Sequence, residues 1–114
     1  MKISGIVNRG KSEGGKIGFP TANIANKDIA PGIYAGNTTV HGVKYNSVIY
    51  VGAKRPDVVE THIFDFDKDI YGNQIEIEIV QKMRDDREFQ NLDELKLQIA
   101  QDCIDAKEIT KQTK

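Results

Sequence analysis

Gln74-Ile75-Glu76-Ile77-Glu78-Ile79 sets three isoleucines at every second position, with amide or charged side chains between them. Successive side chains of an extended chain point to opposite faces, so one face of this segment is apolar and the other polar. It reads as a half-buried antiparallel strand that continues to Met83. Upstream, period-two alternation recurs from Lys2 to Val7, Gly32 to Val40, Val43 to Val51 and Glu60 to Phe66. His41-Gly42 separates two of these runs by two residues, which predicts a hairpin over Ile33 to Val51, although His is not a favoured partner for Gly there. Asp67 to Asn73 predicts a second reverse connection. Five or six strands in 114 residues, with turn signals between them, predict a mainly β fold. The specific expectation is a closed, antiparallel, six-stranded, Greek-key-like β-barrel, since closure removes exposed strand edges.

The period changes near the C-terminus. Asn91 is followed three residues later by Glu94, a capping-box spacing, and Leu92, Leu95, Ile99, Cys103 and Ala106 then recur at helical intervals. This predicts a helix from about Leu92 to Lys107 or slightly beyond, packed by a narrow apolar stripe on the outside of the barrel. Ile109 to Lys114 is polar after its first residue and is expected to fray. The length suits one domain, residues 1–114, and one site.

Composition narrows the function classes. With 16 basic and 17 acidic residues the formal net charge is −1, which gives no bulk attraction for nucleic acid or anionic lipid. No apolar run approaches the roughly 20 residues that span a bilayer, and the first residues lack the apolar core of a signal peptide. Cys103 is the only cysteine, which excludes an internal disulfide and a multi-cysteine zinc site. The expectation is a cytoplasmic protein whose anion binding is local.

Gly10-Lys11-Ser12-Glu13-Gly14-Gly15-Lys16-Ile17 has the glycine spacing of a phosphate loop, but Ile17 stands where Ser or Thr is needed and Phe19-Pro20 follows in place of a helix. The glycines suit either close backbone approach to a ligand or a surface turn. Thr21 and Asn23 offer two neutral oxygens one residue apart, fit for a hard cation with phosphate ligands or for local turn hydrogen bonds. Glu60 sits in an apolar strand entry, either as a general base or as an exposed strand residue. Asp65, Asp67, Asp69 and Glu76 superficially follow a calcium loop, but Ile70 replaces its required glycine and strands flank it. His41 and His62 are too few for a metal cluster.

Taken together, Gly18-Phe19-Pro20-Thr21-Ala22-Asn23 after a glycine-rich loop, then Glu60, then Asp69-Ile70-Tyr71-Gly72, resemble the riboflavin kinase (flavokinase) family. Its members phosphorylate riboflavin to FMN with Mg-ATP. The family's Gly-x-Pro-Thr-Ala-Asn motif is complete here, and the resemblance runs from the first strand to the helix near Ala106. It implies that Gly10, Gly15, Lys16, Gly18, Pro20, Thr21 and Asn23 hold the nucleotide phosphates and that Thr21 and Asn23 also hold Mg²⁺. By the same resemblance Glu60 is the base, and Tyr71, Arg84, Phe89 and Leu92 contact flavin. Riboflavin and ATP are the implied partners, without nucleic acid or membrane, and a monomer is the default. One departure falls at Tyr50-Val51-Gly52-Ala53-Lys54-Arg55-Pro56-Asp57, where many members have Asn-x-Gly-x-x-Pro-Thr. The chain also has no room for the adenylyltransferase domain of many bacterial relatives, so FAD synthesis is expected to be absent. Two rival readings are a non-catalytic flavin or nucleotide binder and a single-stranded nucleic-acid module, the latter needing a basic groove with stacking aromatics.

Overall fold

The structure, a computed structural model, describes residues 1–8, 19–66 and 68–112. Its strands are β1 (Lys2–Ile6), β2 (Ala22–Ala25), β3 (Gly32–Val40), β4 (Val43–Val51), β5 (Val58–Ile63) and β6 (Gln74–Arg84), followed by helix α1 (Leu92–Gln112). All pairings are antiparallel and the lateral order is β1-β6-β3-β4-β5-β2. Within it β6 returns beside β3, outside the β3–β4–β5 meander, which is the expected Greek key. The ends of the sheet approach each other to give a nearly closed barrel. Just past β1, the Asn8 N–H donates to the Asn23 carbonyl of β2 at 2.8 Å and bridges the seam.

The alternating isoleucines of β6 do what their period requires. Ile75 and Ile77 are fully buried inside the barrel with Ile3, Ile24, Ile49, Val51 and Val59. Polar contacts also lie in this core: Thr38 Oγ1 is 3.0 Å from Ser47 Oγ and 2.8 Å from Thr61 Oγ1, so hydroxyls on β3, β4 and β5 satisfy one another. His41 and Gly42 both adopt positive φ, 49° and 79°, the geometry of the two-residue turn whose twist matches the strands. His41 is tolerated because its ring Nε2 lies 3.0 Å from Asn73 Oδ1 on the neighbouring turn.

A second apolar cluster lies outside the barrel, where Ile33, Ala35, Val48 and Phe64 meet Ile99, Cys103 and Ala106 of α1. The helix is capped as its sequence suggests: the Glu94 N–H donates to Asn91 Oδ1 at 2.9 Å, and Glu94 Oε2 accepts from the Gln90 N–H at 3.3 Å. That returning bond lands one residue earlier than in the usual box.

Three expectations are corrected. The helix does not fray at Ile109; it runs to Gln112 because Ile109 packs on the second cluster and buried Thr110 donates its hydroxyl to the Ala106 carbonyl at 2.9 Å. The fifth strand starts at Val58 and stops at Ile63, where Asp65 turns the chain with φ 57°. The site motif itself forms a strand, β2, which periodicity did not reveal. Among the described residues no helix is long and apolar enough to cross a membrane.

Candidate active site

Strand pairing sets the site. Asn23 on β2 faces Glu60 on β5, Glu60 faces Tyr50 on β4, Tyr50 faces Ile33 on β3, and Ile33 faces Arg84 on β6. Directly paired residues share a face of an antiparallel sheet. These five side chains therefore form one transverse row on the outside of the barrel, while Val59, Thr61 and Ile63 alternate inward from β5.

At the β2 end of the row, Thr21 and Asn23 lie on the same side of the chain with Thr21 Oγ1 3.4 Å from Asn23 Oδ1. Asn23 is only 4% exposed. Pro20, just before them, is pinned by His62, whose Nδ1–H donates to the Pro20 carbonyl at 2.8 Å. The His62 ring in turn packs edge-on between Phe19 and Phe64, with centroids 5.7 Å and 5.8 Å away. Two neutral oxygens on a fixed backbone suit Mg²⁺, which takes hard oxygen ligands and completes its shell with phosphate oxygens and water. Among the described residues no group of three His, Cys, Asp or Glu could hold a metal by itself. A cation at this place would thus depend on its ligand's own oxygens.

Two cavities meet at Thr21. The smaller, about 390 Å³, is lined by Asn8, Pro20, Thr21, Asn23, Lys68 and Tyr71 among others. The larger, about 760 Å³, runs from Thr21 and Glu60 past Tyr50 to an apolar end formed by Phe89, Leu92, Leu95 and Ile99. Both volumes are in the range of small-molecule sites. Polar groups at one end and aromatic and aliphatic groups at the other suit a ligand with a flat apolar head and a polar tail.

The rim of the larger cavity consists of the loops after β4 and after β6. They are tied where the Ala53 N–H donates to Asp86 Oδ2 at 2.9 Å and where Lys54 pairs with Glu88. The second contact is between exposed groups and contributes little. Beneath them the Arg84 guanidinium grips Asp102 of α1 by two bonds, Nε to Oδ1 at 2.9 Å and Nη2 to Oδ2 at 2.8 Å, and Gln98 donates to Oδ1 at 3.0 Å. Burial works against the charge of Arg84, but its bonds to Asp102 and that residue's charge outweigh it, so the Arg84 pKa stands above its ordinary value. With Asp102 only 2% exposed, Arg84→Met would leave a buried carboxylate unpaired. Such a loss is expected to cost about 3 kcal/mol in urea unfolding, whereas Arg84→Met with Asp102→Leu should recover most of it. A single-variant loss below about 1 kcal/mol would mean that the pair does not clamp the helix.

The expected site residues sort unequally. Pro20, Thr21 and Asn23 line the smaller cavity, and Glu60, Arg84, Phe89 and Leu92 the larger. Tyr71 does not join the latter group. It lines the smaller cavity with Thr21 and Asn23, because its turn is held at the other end of the barrel by Gly72 N–H to Val7 O and Val7 N–H to Asn73 O, each 2.9 Å. Gly10, Gly15, Lys16 and Gly18 lie outside the described residues. Sequence reasoning missed Tyr50, His62 and Asp102. The first stands in the segment noted as a departure, and the others become visible only when the sheet and helix bring distant residues together.

A barrel that sets a neutral-oxygen pair and a carboxylate beside two abutting cavities has a geometry suited to two small-molecule ligands. The riboflavin kinase (Flavokinase) family model matches residues 1–110, and the chain belongs to that family. It is 40% identical over 116 residues to the bifunctional riboflavin kinase/FMN adenylyltransferase of Bacillus subtilis, a match covering 91% of this chain and 37% of that protein. The RNA-binding riboflavin kinase RibR of the same organism is 39% identical over 113 residues, covering 90% and 49%. Among solved structures, a macrolide-efflux protein from Streptococcus pneumoniae superposes with a TM-score of 0.76 at 30% identity, over 89% of this chain and 34% of that one. The chain therefore spans between about a third and a half of the length of these relatives.

Proposed function

We propose that the chain, read as one domain over residues 1–114, transfers the γ-phosphoryl group of ATP to the terminal ribityl hydroxyl of riboflavin, giving FMN and ADP. The observation that carries this is Thr21, which stands on the wall shared by the two cavities, two residues before Asn23, the register partner of Glu60. ATP occupies the smaller cavity with its phosphates towards Thr21 and Asn23, and Tyr71 belongs to this nucleotide side. Riboflavin occupies the larger one, with its ring system among Phe89, Leu92, Leu95 and Ile99 and its tail towards Glu60. The tail oxygen attacks the γ-phosphorus, its proton passes to the Glu60 carboxylate, and the bond to the bridging oxygen of ADP breaks. Phosphoryl transfer asks mainly for alignment and charge stabilisation, which here come from the fixed backbone at Pro20, the Thr21 and Asn23 oxygens and exclusion of water by the tied loops. Thr21 and Asn23 would hold Mg²⁺, which when bound would add neutralisation of the phosphate charge. A monomer is the proposed state. The buried thiol of Cys103, without a disulfide, suits a reducing cytoplasm.

The reaction is tested by incubating protein, riboflavin, ATP and MgCl₂ and separating FMN by chromatography, with a chelator control. Thr21→Ala or Asn23→Ala should raise the magnesium concentration needed for half-maximal rate by about tenfold while riboflavin binding stays unchanged. An unaltered magnesium dependence in both variants would remove these residues from the metal's role.

A further inference from the structure

Tyr50 is the anomaly of the row. Its Oη is buried and meets no hydrogen-bonding group, the one buried side-chain polar atom among the described residues left in this condition. Buried polar groups are nearly always satisfied, and an orphan on the wall of a binding cavity points to a partner that arrives from outside. Burial, and then the charge of Asp102, push the phenol's pKa up, so the group remains a proton donor at any physiological pH. Neither Arg84 nor Gln98 bonds to it, since both donate to Asp102 instead. The ring lines the larger cavity and is itself only partly buried, so the side chain carrying the orphaned hydroxyl borders the space a ligand would fill.

We infer that Tyr50 is a binding residue for the acceptor substrate, its hydroxyl donating a hydrogen bond to an inner hydroxyl oxygen of the ribityl tail. This rests on the reading of the larger cavity as the flavin site. Tyr50 faces Glu60 directly across the β4–β5 pair, one strand spacing of about 4.8 Å further from Asn23. A tail whose terminal hydroxyl lies at Glu60 carries its inner hydroxyls back over Tyr50 within a few carbon–carbon bonds, before the flat ring reaches the apolar end. The row thus has a spatial order of phosphate side, proton acceptor, tail contact and apolar head. Tyr50 would select acceptors that bear a hydroxylated chain over the same ring without one.

The experiment is a fluorescence titration of wild type and Tyr50→Phe with riboflavin and with lumiflavin, which carries a methyl group in place of the tail. The phenylalanine variant should lose about tenfold in riboflavin affinity and nothing for lumiflavin. It should melt at or above the wild-type temperature, because an unpartnered buried polar atom has been removed. Unchanged riboflavin affinity, or an equal loss for both flavins, would overturn the tail contact. Wild type that binds neither flavin would overturn the flavin reading of the cavity and the contact with it; wild type that binds riboflavin no better than Tyr50→Phe does would overturn the contact alone.

Discussion

Glu60→Gln is expected to lower the rate of FMN formation by about 10²–10⁴-fold, the usual contribution of a positioned general base. The amide keeps the volume of the carboxylate and changes no backbone group, so the pairings of Glu60 with Asn23 and Tyr50 persist. What would disappear is the proposed proton acceptor on the wall of the larger cavity. Affinity for riboflavin and for Mg-ATP should stay within a few-fold of wild type, since transfer chemistry and ground-state binding draw on different atoms. Initial rates of FMN appearance at saturating substrates, together with flavin titration, separate the two quantities. Turnover close to wild type would show that Glu60 is a strand residue facing a cavity and that the proton leaves by another route.

The largest effect on stability belongs to Gly36→Ala. A Cβ built at Gly36 would stand 2.1 Å from the Glu78 carbonyl oxygen and 2.6 Å from Ile49 Cδ1. The first obstacle is backbone of the adjacent strand and cannot swing aside. Gly36 also follows a register irregularity in the β3–β6 pair between Ala35 and Gly36, where β6 bends across β3. Making room would force these central strands apart over a core whose members are almost fully buried. The expected loss is about 4 kcal/mol or more, a large part of the roughly 5–15 kcal/mol available to such a domain. Gly42→Ala is the informative comparison: φ is 79° but no atom lies within 4 Å, so only backbone strain of about 1 kcal/mol is at stake. Urea unfolding followed by circular dichroism should rank the two variants well apart. Similar losses would mean that β3 and β6 yield more easily than their spacing indicates.

The elements legible in the sequence are those whose signal is local. The isoleucines of β6 carry their period in six consecutive residues, the His41-Gly42 hairpin is a two-residue event, and Asn91 with Glu94 marks the helix start within one turn. Strand β2 escaped because Ala22–Ala25 is short and carries no alternating pattern; pairing with β5 makes it a strand. The helix end was hidden for a related reason, since Thr110 looks polar in sequence and is buried by its bond to the preceding turn. Glu60, Thr21 and Asn23 could be picked out as chemically suitable, but the row that sets Asn23 and Glu60 beside Tyr50, Ile33 and Arg84 follows from the register of four strand pairs. The place of Tyr71 was equally hidden, because it depends on hydrogen bonds from its turn to Val7, far away in the chain, which set it beside the smaller cavity.

The transverse row also governs when the protein becomes competent during folding. None of its five residues neighbours another in the chain; each contact exists only after a separate strand pair has zipped into register. Helix α1 and the β3–β4 hairpin draw on local contacts and can form early, whereas ends of the chain as distant as Asn23 and Arg84 must close large loops first. A partly folded chain can therefore hold most of its helical signal and a native hairpin while having no site at all. The row is complete only when the β2–β5, β4–β5, β3–β4 and β3–β6 pairs are all in register, so the proposed activity would report on the assembly of four strand pairs at once.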